Sequence, residues 1–148
     1  MTHVQQKVTP VLMFAGQAEE AMQLYLSIFD RAEILSLERY GAETPDLEGR
    51  VLRARLSLYG HEVVCLDSSV RHDFTFSPAI SFAITCSTEE EIDRLFGLLA
   101  QGGAVFMPLA AYPFSPRFGW VADRFGVAWQ LHLDDHAQGG SVSEQTGG

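Results

Sequence analysis

The chain has 148 residues, 47% of them hydrophobic, which is enough to bury the core of one ordinary domain. Its 10 Lys and Arg against 19 Asp and Glu give a net charge of -9, which repels phosphate backbones and anionic lipid and so sets aside nucleic-acid and membrane-surface partners. The two cysteines, Cys65 and Cys86, lie inside apolar runs, as buried free thiols do, and not in the spacing of a disulfide framework or zinc knuckle.

The N-terminus MTHVQQKVTP has no apolar h-region, and no window approaches the roughly 18 apolar residues of a membrane span, so a cytoplasmic protein is expected. Residues 8–14 (VTPVLMF) form a short apolar run bounded by turn residues, the pattern of a buried strand. Over 18–29, Ala18, Ala21, Met22, Tyr25, Leu26 and Phe29 recur at three- and four-residue steps and predict an amphipathic helix. Glu19 and Glu20 suit the positive end of its dipole. Three strands follow, at 32–40, 50–58 and 61–67, separated by the breaker-rich GAETPDLEG and by a Tyr59-Gly60 turn.

The order then restarts. Residues 79–85 (AISFAIT) read as a strand, and Ser87 with Glu90 as an S-x-x-E capping box opening a second helix. Its apolar stripe is Ile92, Leu95, Phe96 and Leu99, and Gly102-Gly103 stops it. Candidate strands at 104–108, 118–123 and 127–133 complete a second βαβββ unit. The expected fold class is therefore α+β, with two βαβββ repeats at about 8–67 and 79–133 inside one domain over 1–135. Residues 136–148, rich in Gly, Ser and Gln, cannot offset their ordering entropy and are expected to form a disordered tail.

The segments TPVLMF, AEEAM, HDFTFSPAISF, YPFSPRFGWVADRFGV and WQLHL, in that order, resemble the vicinal oxygen chelate superfamily of glyoxalase I, bleomycin-resistance proteins and extradiol dioxygenases. Within it they resemble the PhnB-like subfamily, also labelled demethylubiquinone methyltransferase-like. The resemblance runs from about residue 8 to 133. It implies a glyoxalase/bleomycin-resistance-like open barrel whose concave face forms a cup, helices on the convex face, and a homodimer. It also implies a metal-ligand position on the first and the fourth strand of each unit.

Carried over, those positions fall near Pro10 and Val64 in the first unit and near Ala79 and Gln130 in the second, with Thr9 or Ser81 as occupants if the register slips by one. Only Gln130 among the four has a donor atom, and the two hydroxyls do not rescue the count. One neutral amide cannot hold a divalent cation that needs several His or carboxylate ligands, so no metal is expected. S-adenosylmethionine in its common fold needs a glycine-rich turn inside a parallel βαβ unit; no such segment occurs, and no cofactor is expected.

Strand alternation selects the cup-lining residues. With Arg124-Phe125 as a turn, Gly119 opposes Gln130, Val121 opposes Ala128, and Trp120 opposes Trp129, which puts both tryptophans in the core and Ala128, Gln130 and His132 in the cup. With Tyr59-Gly60 as a turn, Leu52, Ala54, Leu56 and Leu58 go to the helices, and Arg53 and Arg55 to the cup, where they suit a carboxylate or phosphate. The competing reading pairs Glu62 with Arg55 across the strands and sends Arg53 to solvent. His132 is a lone inward histidine, either satisfied structure or an acid–base group, and His72 beside Asp73 reads as a hydrogen-bonded linker histidine.

MPLAAYPFSPRFGW reads as a stiff loop whose Tyr112 and Phe114 either close over a ligand or cover a dimer partner. The expected function is binding of a small organic molecule in the cup. A metal-independent lyase, isomerase or transferase is the alternative, and a metal-dependent glyoxalase or dioxygenase ranks last.

Overall fold

The structure, a computed structural model, describes residues 6–134. In chain order they form β1 (Val11–Phe14), α1 (Ala18–Ile28), β2 (Ala32–Arg39), β3 (Val51–Leu58), β4 (His61–Asp67), β5 (Phe82–Cys86), α2 (Glu89–Ala100), β6 (Ala104–Tyr112), β7 (Ser115–Ala122) and β8 (Ala128–Leu133). The chain divides between Thr75 and Phe76 into two compact units. Each is a βαβββ module with one mixed sheet, ordered β1-β4-β3-β2 in the first and β5-β8-β7-β6 in the second. The expected α+β duplication is what the chain adopts. The expected tail at 136–148 lies outside the described residues.

In the first unit, β1 runs parallel to β4 and the other neighbours are antiparallel. The β3–β4 hairpin closes on Tyr59 and Gly60, both at positive φ (53° and 85°), which is the backbone demanded by a two-residue turn that follows the strand twist. Ala54, Leu56, Val63 and Cys65 are fully buried with Ala18, Ala21, Met22 and Tyr25 of α1. The buried Asp67 belongs to this layer: its carboxylate accepts from Gly16 and Ala18 N–H (2.9 and 3.0 Å) at the start of α1 and from Val51 N–H (3.0 Å). It replaces a side-chain N-cap, which Gln17 does not supply, and answers orphan donors of the first turn. Leu52, expected under the helix, is instead 42% exposed, because a register shift at Glu38/Arg39 interrupts the β2–β3 alternation beside it. The first strand begins at Val11, after Pro10, whose carbonyl accepts from Val64 N–H.

In the second unit, β5 is parallel to β8, and Trp129, Leu131 and Leu133 are buried on the α2 side with Ile92, Leu95 and Leu99. Thr88, not Ser87, is the N-cap of α2: its Oγ1 accepts from Glu91 N–H (3.1 Å), while Glu91 Oε1 accepts from Ser87 N–H (2.8 Å). The box is displaced by one residue from the expected one because Thr88, in extended backbone, is the last residue before helical φ and ψ. The fifth strand starts at Phe82, later than expected, since Ser77 draws the preceding chain into a turn by accepting from Ala79 and Ile80 N–H.

The expected stiff loop at 107–120 is a hairpin. β6 continues to Tyr112, which pairs with Ser115 across a Pro113-Phe114 turn. Pro113 lies in that turn, outside the ladder, and Pro108, on the edge strand β6, falls where the β6–β7 register shifts between Met107 and Ala110.

Candidate functional site

The face of each sheet opposite its helix is set by pairing register. In the second unit one row across the sheet is Ala83, Gln130, Trp120 and Met107, and the next joins Thr85, His132 and Phe118. The expected β7–β8 register is corrected by one residue: Trp120 opposes Gln130, Gly119 opposes Leu131, and Val121 opposes Trp129. The cause is Asp123. Its buried carboxylate accepts from Phe125 and Val127 N–H (2.9 and 3.1 Å), holding a five-residue connection with Gly126 at φ 95° where a two-residue turn was expected. Trp129 remains core, but Trp120 leaves it and stands beside Gln130. Gly119 takes the helix side, where the Phe96 ring of α2 occupies the space a Cβ would need.

The side chains on these two rows include no carboxylate, lysine or arginine and are partly matched to one another. Trp120 is half-buried, its indole N–H donates to Ser81 Oγ (3.2 Å), and its ring lies 5.0 Å from Phe106 at 54°. His132 Nε2 is 2.9 Å from Thr85 Oγ1, which fixes the ring against the neighbouring strand. Gln130 lies between these two pairs, half-buried, and its side-chain amide makes no hydrogen bond among the described residues. An amide with both a donor and an acceptor uncommitted, flanked by an indole and an imidazole, is a group placed to receive a polar molecule.

The equivalent row of the first unit is Val11, Val64, Arg55 and Ser36. Arg55 is engaged: its Nε and Nη2 donate to the two Glu62 carboxylate oxygens at 2.6 and 3.0 Å. Those hydrogen bonds from Arg55 hold the Glu62 carboxyl below its ordinary range and raise the guanidinium's own pKa. Gln6 reinforces Glu62 from β1's side, exchanging amide hydrogen bonds with its backbone. Arg53 is exposed and adds to the positive field on Glu62 without forming an ion pair among the described residues.

Tyr112 and Phe114 sit at the β6–β7 hairpin tip, stacked at 5.7 Å and both edge-on to Phe118. Tyr112 OH donates to Pro108 O at 2.6 Å, and Phe114 is 65% exposed. Arg117 turns away to Asp93 of α2 (2.7 Å). In the first unit His72 Nε2 is 3.0 Å from Ser68 Oγ and its ring stacks on Phe74 at 4.7 Å, which makes it a held connector residue. Reasoning from sequence missed Thr85, placed Trp120 in the core and named Ser81 only as a possible metal-position occupant; the pairing across parallel strands that brings Thr85 to His132 leaves no local signal.

The positions at which the resemblance implies metal ligands are short of donor atoms. The first-strand residues level with Val64 and Gln130 are Val11 and Ala83, so three of these four positions carry no ligating atom. Among the described residues no three His, Cys, Asp or Glu side chains gather to hold an ion.

The family model described as 3-demethylubiquinone-9 3-methyltransferase matches residues 6–132. A solved PhnB protein from Bacillus cereus, given that same description in provisional form, is 55% identical over 87% of this chain and 100% of its own, with a TM-score of 0.84. A Pseudomonas aeruginosa protein is 26% identical over 88% of this chain and 98% of its own, at a TM-score of 0.71. A glyoxylase/bleomycin resistance protein/dioxygenase domain from Frankia sp. is 17% identical over 93% of this chain and 100% of its own; its TM-score of 0.64 speaks for the fold alone. No curated protein gives a significant match.

Proposed function

We propose a function from one premise: the chain belongs to the PhnB-like family described as 3-demethylubiquinone-9 3-methyltransferase, on the glyoxalase/bleomycin-resistance fold of the vicinal oxygen chelate superfamily. On that fold the second unit's open sheet face binds a small organic molecule, with Gln130 as polar anchor, Trp120 as wall and His132 as a second polar contact. The observation that carries the reading is the uncommitted Gln130 amide between the Trp120–Ser81 and His132–Thr85 pairs. Binding proceeds without the superfamily's metal, because valine and alanine stand where ligands would be needed.

Methyl transfer is not carried over from the family's description. A mixed sheet with one helix per unit lacks the parallel βαβ turn that cradles S-adenosylmethionine in its common fold, and Gly102, at φ 73°, serves the end of α2. In the first unit Arg55 is already matched by Glu62, and Arg53 forms no ion pair among the described residues.

The enzyme reading is favoured by one specific contact. His132, held by Thr85, has its second ring nitrogen available as a proton acceptor in one tautomer, which suits a metal-independent lyase or isomerase. The homodimer belongs to the same proposal, supported by the exposed Val105, Phe106 and Phe114 of the β6–β7 hairpin, and sedimentation equilibrium reads it.

The test is a fragment screen by two-dimensional NMR on the full chain. Binders should move the Gln130 side-chain amide and Trp120 indole signals together, and Gln130→Leu should abolish the response of the Trp120 indole with the fold intact. Binders that perturb other surfaces and act equally on the variant would refute the site.

A further inference from the structure

The row Ala83, Gln130, Trp120, Met107 and its neighbour Thr85, His132, Phe118 contain no Asp, Glu, Lys or Arg. The equivalent row in the first unit places Arg55 where the second has Trp120, and Val64 where it has Gln130. The duplication has therefore exchanged a guanidinium for an indole and an apolar side chain for an amide. The basic residues nearest in sequence to this face are spent elsewhere: Arg117 on Asp93 and Arg124 over the Phe125 ring at 4.9 Å.

Resting on the binding face proposed above, we infer that its ligand is a flat, uncharged aromatic or heteroaromatic compound bearing an amide-like donor–acceptor edge. An anion finds no lysine or arginine in either row to offset its desolvation. A neutral lactam or carboxamide finds in Gln130 one N–H donor and one carbonyl acceptor side by side. Trp120 and the neighbouring Phe106, 5.0 Å away, offer aromatic surface to a flat ring, and Met107 on the same row adds a polarisable thioether. The Trp120 N–H is already given to Ser81, so the indole contributes its ring rather than a hydrogen bond.

Three matched probes decide the class: nicotinamide, nicotinate and cyclohexanecarboxamide, titrated into the full chain while the Gln130 side-chain amide and Trp120 indole signals are followed. Nicotinamide should bind best, with each of the others weaker by about fivefold to tenfold, the range expected for loss of stacking or of charge matching. Gln130→Leu should weaken nicotinamide by about tenfold, read at the Trp120 indole, and Trp120→Leu should abolish discrimination between nicotinamide and cyclohexanecarboxamide. If nicotinate or cyclohexanecarboxamide binds as well as nicotinamide at these signals, the ligand class is wrong while the binding face stands. If none of the three moves either signal, both the class and the face are refuted.

Discussion

Trp129 is 2% exposed and donates its indole N–H to Asp123 Oδ2 at 2.9 Å, so its removal leaves a large void and takes one donor from a buried carboxylate. Trp129→Ala should cost about 3–5 kcal/mol in urea unfolding. Gln130→Ala, one residue on, faces away from that core and should change the midpoint little. The facing of both residues was legible in the apolar–polar alternation of WQLHL. That of Trp120 was not, because it depends on the length of the connection to β8, which the Asp123 carboxylate sets by answering two backbone donors within it. Arg55 was legible as either a ligand contact or a partner of Glu62, and geometry selects the pair. Both cysteines are fully buried, and burial pushes their thiols up from 9.0 to about 12. Above pH 9 the unfolded thiols lose protons that the native ones keep, so the unfolded state gains stability relative to the native one as pH climbs from 9 towards 12. Unfolding monitored across that window should show falling stability, and Cys65→Ala with Cys86→Ala should flatten the slope. In the native chain at pH 8 neither thiol should react readily with a thiol reagent.

At the scale of elements, the helices were the most legible part, since their stripes repeat over three turns and the second stops at Gly102-Gly103. Their first turns are secured differently. α2 uses Thr88 and Glu91, so Thr88→Ala should lower stability by about 1 kcal/mol in a thermal or urea melt. α1 uses Asp67, fifty residues away in sequence by the order of the contact, and Asp67→Ala should cost more than the Thr88 change because three backbone N–H groups lose their acceptor together. A long-range cap of this kind leaves no pattern near the helix it serves. The β6–β7 hairpin was hidden for another reason: three prolines in MPLAAYPFSPRFGW read as breakers, whereas Pro113 falls in the turn and Pro108 and Pro116 fall where the β6–β7 register shifts, places that have room for residues without an N–H.

At the scale of the whole molecule, the duplication was visible because strand, helix and hairpin signals recur in the same order, and both units realise it as the same mixed sheet. The site was only partly visible. Gln130 and His132 come from one strand and could be read together, but Thr85 joins them through a pairing between strands far apart in sequence, and Ser81 through the indole N–H of Trp120. Divergence between the repeats is what gives the second unit its neutral, aromatic face while the first keeps an ion pair at the equivalent position. Diffraction from crystals soaked with a set of small polar aromatic fragments tests this most directly. The account predicts a bound fragment hydrogen-bonded to the Gln130 amide and lying against Trp120; fragments that settle reproducibly on other surfaces while leaving Gln130 bare would contradict it.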